Sequence, residues 1–187
     1  VAMVPSPSVV LGVASPRVID VANAFATFAA NGVRAKPFLV KEVLGANKGV
    51  LYQARVETEQ VFDEAVVADL NYALGEVVRA GTATSALRSF GRPAAGKTGT
   101  SQSNASAWFT GYTPQLATSI AFYRDDATQS LNGIGGLNSV TGGSFPARIW
   151  NAYMKGALKG TEVIDFAPPS FIGGTEAQPI PNPVATI

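Results

Sequence analysis

Residues 94–124 read AAGKTGTSQSNASAWFTGYTPQLATSIAFYR, and this stretch decides the fold. Three extended runs follow one another in it. The first is predicted over Arg92–Gln102, the second over Ser106–Tyr112 and the third over Leu116–Tyr123. Only Thr113-Pro114-Gln115 separates the last two, so they should pair antiparallel. Alternation places Trp108, Thr110 and Tyr112 on one face and Ala107, Phe109 and Gly111 on the other. In the third run Leu116, Thr118, Ile120 and Phe122 share a face, opposite Ala117, Ser119, Ala121 and Tyr123. The small side chains of that second set suit close packing of a helix.

Helices lie on both sides of this stretch. One is predicted over Ser15–Ala30, with Ser15 as N-cap and Pro16 in the first turn. Val18, Val21, Ala22, Phe25 and Phe28 form its apolar stripe, and Asn31-Gly32 supplies a left-handed stop. A second helix runs over Glu64–Arg79 behind an Asp63 cap, striped by Val66, Val67, Leu70, Leu74, Val77 and Val78. A short helical piece follows over Thr84–Phe90. A last helix covers Pro146–Leu158, with Ile149, Trp150, Tyr153, Met154, Ala157 and Leu158 facing inward. Between the first two helices, Pro37–Leu44 and Val50–Val56 read as a hairpin closed by Gly45–Gly49. Two strands alone are marginal, so this hairpin should lie on something larger. Residues 125–144 read as a long surface loop, and the proline-rich stretch from 167 to 187 as a tail or linker after a unit spanning 1–166. The pattern as a whole mixes helices with paired strands.

Composition narrows the chemistry. The 187 residues carry a net charge of +1, too weak a field to attract nucleic acid. There is no cysteine, so disulfides, thiolate metal sites and cysteine nucleophiles are excluded. There is no histidine, which removes the commonest general base and metal ligand. Catalysis would fall to Lys, Asp, Glu, Ser, Thr or Tyr, and no cofactor is expected. No apolar run reaches the ~18 residues of a membrane helix. Val1 reads as an internal position of a longer polypeptide. The absent cysteines and low charge suit an extracytoplasmic protein.

Residues 91–100, GRPAAGKTGT, match two unrelated patterns. Gly91, Gly96, Lys97 and Thr98 fit the phosphate-binding loop G-x-x-x-x-G-K-[ST]. That chemistry needs a strand before the first glycine and a helix starting at Lys-Thr. Here a helical stretch precedes, glycine-flanked threonines follow, and Pro93 removes a backbone donor. The second pattern is K-T-G on an edge strand, where a cation and two hydroxyls meet the carboxylate of an acyl donor. Small neighbours, Ala94, Ala95, Gly96 and Gly99, would let a substrate lie along the strand. A Gly-Lys-Thr-Gly run by itself is commonly a polar turn, so the neighbourhood has to decide.

That neighbourhood resembles the bifunctional (class A) penicillin-binding proteins of bacterial cell-wall synthesis. The likeness is carried by GKTGT, the following W-F-x-G-Y-T-P strand and turn, and the second hydrophobic strand. AFATFAANG in the first helix, Arg79-Ala-Gly-Thr-Ala83, and Gly142-Gly-Ser-Phe-Pro-Ala-Arg-Ile-Trp150 agree with it. The resemblance implies a fold of the α/β (α+β) class, the penicillin-binding/β-lactamase-like transpeptidase fold, with a five-stranded, mainly antiparallel sheet flanked by helices, of which this chain would supply about three strands. It implies serine acyl transfer between peptidoglycan stem peptides, with β-lactams acylating the same serine. Lys97 would supply positive potential and assist proton movement. Thr98 and Thr100 would bind the substrate carboxylate. The Thr100 N–H would be an oxyanion donor, and Gly99 would allow close approach. The implied place is the extracytoplasmic face of the bacterial cell membrane, with the anchor outside this chain.

The family's S-x-x-K is absent, since no serine here has lysine three residues on. One S-x-N occurs, Ser130-Leu131-Asn132, but it follows the K-T-G in chain order and reads as chance. The nucleophile is therefore expected upstream of Val1, on a fragment of the same protein that docks here, and this chain alone should be inert. A non-catalytic sensing module of the same fold is the alternative. Other clusters have plainer uses. Glu57, Glu59, Asp63 and Glu64 could pair as acid and base, but they gather at a helix start, where acids favour the dipole. Asp125-Asp126 could hold a cation, and Trp108, Phe109 and Tyr112 could stack a ligand, or form a solvated loop and core packing respectively.

Overall fold

The computed structural model describes residue 12, residues 14–126 and residues 128–173. Four helices and seven strands are formed by them. They are α1 (Val18–Ala29), β1 (Val33–Ala35), β2 (Glu42–Leu44), β3 (Val50–Gln53), β4 (Thr58–Gln60), α2 (Glu64–Arg79), α3 (Thr84–Leu87), β5 (Ala95–Thr100), β6 (Ser106–Thr113), β7 (Leu116–Tyr123) and α4 (Phe145–Ala157).

The expected sheet is present. β5, β6 and β7 form a three-stranded antiparallel sheet in that order. Gly96 pairs with Gly111, Thr98 with Phe109 and Thr100 with Ala107, so these six residues share one face. Lys97, Gly99, Trp108, Thr110 and Tyr112 share the other, with Ala117, Ser119 and Ala121 of β7. α1 packs on this second face, as the small side chains of β7 predict. Phe25 meets the Tyr112 ring edge-on at 5.9 Å, and Thr110 and Ser119 bond hydroxyl to hydroxyl at 2.7 Å. Tyr112 is fully buried, and its hydroxyl donates to Asn71 Oδ1 of α2 at 2.6 Å. Burial pushes this phenol far above its usual range, so it stays a neutral donor.

α4 covers the first face. Trp150, without solvent exposure, sits over the Gly96–Gly111 rung, edge-on to Phe109 at 5.4 Å, and donates its indole N–H to Gly111 C=O at 3.0 Å. A Cβ at Gly111 would lie 2.8 Å from the Phe109 ring and 2.9 Å from the indole. One at Gly96 would lie 2.7 Å from the Thr110 oxygen. The bare Gly111 lets the indole rest on the sheet, and the bare Gly96 lets β5 lie against the Gly111 backbone and the Phe109 ring. Ala83, Leu87, Phe90, Ala147, Met154 and Leu158 complete this core. The inward stripe of α4 is narrower than its periodicity predicts. Ile149 and Tyr153 are exposed, whereas Asn151 is buried and donates to Ala86 C=O at 2.7 Å. Arg92 lies outside the strand predicted over 92–102. Its guanidinium instead donates to the carbonyls of Leu158, Thr161 and Glu162, closing the C-terminal end of α4.

Several expectations are corrected. α1 begins after Arg17, not Ser15, and Arg17 bonds Asp20 through both carboxylate oxygens. The hairpin exists with strands shorter than predicted, and β1 and β4 extend it at its base. It does not lie on a larger surface among the described residues: Leu39 is 99% exposed and Leu51 73%. Glu57 and Glu59 are consumed by Lys36 and Arg34 across the β1–β4 ladder, and Asp63 accepts from Ala65 N–H at the start of α2. They form no acid–base pair. The stretch 125–144 is not all surface. Leu131 and Val140 are buried against Ala107, and Asp126 is occupied by Thr128 and Gln129. Among the described residues no cluster suited to a metal ion occurs.

The first residues of the expected tail are strapped to α2. Asp69 accepts three backbone N–H groups, from Ser170 and Phe171 at 2.7 Å and Ile172 at 2.9 Å. Phe171 takes a left-handed φ of 50° and turns its ring onto Tyr72. Partial desolvation opposes the Asp69 charge, but the N–H groups of Phe171, Ile172 and Ser170 outweigh it and lower its pKa. A lowered folded pKa gives stabilisation that is present above the unfolded value, about 3.9, and fades as pH falls through the folded one. Hydrogen exchange should therefore show the amides of 170–172 protected near neutrality and increasingly open in strong acid. Asp69→Asn should weaken that protection at every pH and remove its acid dependence.

Candidate active site

β5 is the edge strand of its sheet among the described residues. Ser101 N–H donates to Ser106 C=O at 3.0 Å, which fixes the phase of the β5–β6 ladder. By antiparallel alternation the backbone groups of Lys97 and Gly99 bond to β6, and those of Gly96, Thr98 and Thr100 point to the open edge. Lys97 starts on the opposite face from the threonines. Its side chain curls to that edge, and the ammonium donates to the Thr98 carbonyl at 2.9 Å. An ammonium, two hydroxyls on one face and outward N–H groups are thus gathered along one short edge. Such an edge presents donors to an anion and offers strand pairing to an extended peptide.

This arrangement is incompatible with a phosphate-binding loop. Gly91 is in a turn with φ 78°, but Gly96, Lys97 and Thr98 lie inside a strand, and no helix starts at Lys97. The N–H groups of a strand alternate in direction, so they cannot curl around a phosphate.

Two further segments complete the site. The turn after α2 brings the Thr82 hydroxyl to 2.7 Å from the Thr98 hydroxyl. The turn before α4 brings Gly142 N–H to the Thr100 hydroxyl at 3.1 Å. A Cβ at Gly142 would collide with the Trp108 carbonyl oxygen and lie 2.7 and 2.8 Å from the Gly99 oxygen and nitrogen. One at Gly143 would collide with the Thr82 carbonyl. These glycines let the 141–144 turn lie flat on the β5–β6 rung and against the 81–83 turn. Ser144 locks that turn, its hydroxyl accepting from Thr141 N–H and donating to Thr141 C=O. At Gly99 the situation differs: a Cβ there would meet only Trp108 Cβ, at an ordinary 3.4 Å.

Sequence reasoning selects Lys97, Thr98, Gly99 and Thr100, and the structure brings all four onto one strand. It misses Thr82 and Gly142 as members of the site. Both lie in segments noted for family likeness, but they are 16 and 42 residues from the threonines they touch. Spacing carries no signal over such distances. Ser130-Leu131-Asn132 has a structural use away from Thr98: Leu131 N–H donates to Asn104 C=O, and Asn132 Oδ1 accepts from Asn104 Nδ2 at 2.8 Å. Trp108, Phe109 and Tyr112 split between the two faces, so they form no single stacking platform.

An antiparallel sheet with a Lys-Thr-Gly-Thr edge, backed by helices, defines a penicillin-recognising class of domain. The family model described as "Penicillin binding protein transpeptidase domain" matches residues 17–136, and the chain belongs to that family. It is 38% identical to penicillin-binding protein 1A of Mycolicibacterium smegmatis over 94% of its own length and 23% of the relative's. It is 36% identical to penicillin-binding protein 1A of Mycobacterium tuberculosis, with 94% and 22% covered. The chain thus spans about a quarter of these relatives. The solved structure of PonA1 from M. tuberculosis aligns with a TM-score of 0.81 at 33% identity, over 98% of this chain and 49% of that one. PonA1 in complex with penicillin V aligns at 0.80 and 35%, over 95% and 48%.

The contact of Gly142 with the strand yields a test. Gly142→Ala should push the 141–144 turn off β5, release the Thr100 hydroxyl and destabilise the fold by about 1–3 kcal/mol, the usual cost of overpacking. Denaturant unfolding would detect this, and an unchanged stability would mean that the turn does not rest on the strand.

Proposed function

We propose that this chain is the substrate-strand portion of a peptidoglycan D,D-transpeptidase. The observation that carries the reading is the open β5 edge, with the Lys97 ammonium, the Thr98 and Thr100 hydroxyls and the outward Thr100 N–H gathered on it. Family membership supports the serine acyl-transfer chemistry.

In this reading an upstream segment of the same protein carries S-x-x-K and S-x-N and docks beside β5. Its serine attacks the D-Ala-D-Ala carbonyl of a stem peptide. The serine proton passes to a base and on to the leaving D-Ala amine, so the ester forms as the amide breaks. A stem-peptide amine then attacks the ester and regenerates the serine. The Thr100 N–H holds the oxyanion, a role typically worth about 3 kcal/mol. The threonine hydroxyls bind the terminal carboxylate, Lys97 supplies positive potential beside it, and Gly99 leaves room for the substrate chain. A β-lactam carries the same carboxylate and an acylating carbonyl, and so meets the same groups. The absence of S-x-x-K from this sequence supports the expectation that the chain alone is inert. The exposed apolar residues of the hairpin, Leu39, Leu44, Leu51 and Tyr52 among them, support a companion segment that covers part of the surface. No described helix is long and apolar enough to cross a membrane. We place the domain on the extracytoplasmic face, where peptidoglycan is, with its anchor elsewhere in the protein. The stretch beyond residue 167 is proposed to lead out of the domain.

Intact-mass spectrometry of the native protein with and without penicillin tests this. A penicilloyl adduct is expected on the polypeptide or segment carrying S-x-x-K, with residues 1–187 unmodified. Lys97→Ala should reduce the rate of adduct formation by about a hundredfold, since it removes a charged contact at the reacting site. An adduct within 1–187 would show that the nucleophile is misplaced. No adduct on any segment would favour a non-catalytic module of the same fold.

A further inference from the structure

We propose that Thr82 is a positioning residue for this site: its hydroxyl donates to Thr98 Oγ1 and so commits the Thr98 proton to an anion held at the open edge of β5. The inference rests on the transpeptidase reading and extends it to a residue outside the K-T-G-T strand.

The argument is one of proton direction. A threonine hydroxyl has one proton and two acceptor lone pairs. Thr98 and Thr100 are two residues apart on an edge strand, so both hydroxyls emerge on the same face. Two such hydroxyls grip a carboxylate only if both direct their protons toward it. Thr100 is already set in this sense. Its oxygen accepts Gly142 N–H at 3.1 Å, which occupies a lone pair and leaves the proton free to point outward. Thr98 has its counterpart in Thr82. The two oxygens are 2.7 Å apart, and either can donate when the edge is empty. When an anion takes the Thr98 proton, only one sense of that bond survives, with Thr82 donating and Thr98 accepting. The chain of hydroxyls then runs Thr82 to Thr98 to anion, each bond polarising the next.

Thr82 is well fixed for this task. Its neighbour Ala83 is fully buried in the α4 core, and Ala83 N–H donates to Val77 C=O at 3.1 Å. Thr84 Oγ1 donates to Gly81 C=O at 2.8 Å, bracing the turn from the other side. Gly143 lies directly against the Thr82 carbonyl, where a Cβ would collide. The turn is held from both ends while the hydroxyl itself stays at the surface beside the edge. Thr82 therefore acts through Thr98, not by touching the substrate.

The test uses the full protein carrying this chain and its S-x-x-K segment. The second-order rate constant for acylation is measured with penicillin V and with its methyl ester, which lacks the carboxylate charge. Thr82→Val should lower the rate with penicillin V by about fivefold, the scale of one hydrogen bond, and leave the slower rate with the ester unchanged. Thr82→Ser, which restores the donor, should return the penicillin V rate to within about twofold of wild type. In a Thr98→Val background, Thr82→Val should add no further loss, because the bond is already gone. An unchanged penicillin V rate in Thr82→Val overturns the inference. An equal loss with the ester, or an additive loss in the Thr98→Val background, also overturns it and makes Thr82 a brace for the strand. If the wild-type protein is not acylated at all, the transpeptidase reading fails, and this inference with it.

Discussion

The site depends on how one tryptophan meets one pair of glycines. Trp150 rests its indole on the Gly96–Gly111 rung and donates to the Gly111 carbonyl. A side chain at Gly111 would lift the indole off the sheet, and one at Gly96 would strike the Thr110 carbonyl and the Gly111 backbone. With the indole down, α4 lies close across the face that carries Thr98 and Thr100. The turn immediately before α4 is then carried to β5, and Gly142 can reach the Thr100 hydroxyl. The same core contains Ala83, so Thr82 arrives at Thr98 from the other side. Packing that is mainly apolar at its centre thus sets polar contacts at its rim.

The edge of β5 shows a second constraint. An unpaired strand edge normally invites aggregation, and proteins blunt such edges with charge, bulges or cover. Here the Lys97 ammonium curls over the edge and the 141–144 turn covers one face of it. The edge is guarded but not closed. That combination fits the proposed function, in which the strand accepts an extended peptide and refuses other strands otherwise. The hairpin of β2 and β3 is managed differently. Its apolar residues are exposed among the described residues, and charged pairs brace only its base.

Much of the secondary structure was legible because local rules agreed with each other. α2 has an Asp63 cap, an uninterrupted stripe and a glycine after its end, and both of its predicted bounds hold. β7 alternates cleanly between large and small side chains and runs as predicted. Some misses come from a tertiary contact that overrules a local preference, others from a competing local one. Arg92 looked like the start of a strand, but its guanidinium is used four ways at the end of α4. Ser15 looked like a cap, but the Arg17–Asp20 pair holds the start of α1 two residues later. Leu131 and Val140 looked like loop residues because Gly, Asn and Ser surround them, yet they bury against Ala107. β1 and β4 are three residues each, too short to show a period.

By itself the sequence determined the family likeness, the antiparallel pairing of β6 with β7 and the choice of Lys97, Thr98, Gly99 and Thr100. Those features are local: residue type, spacing and a run of alternating side chains are enough to state them. It also determined that histidine and cysteine chemistry are absent and that S-x-x-K is not in this stretch. Only the tertiary structure decided which groups surround the two threonines. Thr82 and Gly142 come from turns on opposite sides of β5 in the sequence, and no periodicity relates them to it. They meet because Ala83 and Trp150 share one core, and such a meeting is a property of packing in three dimensions, not of order along the chain.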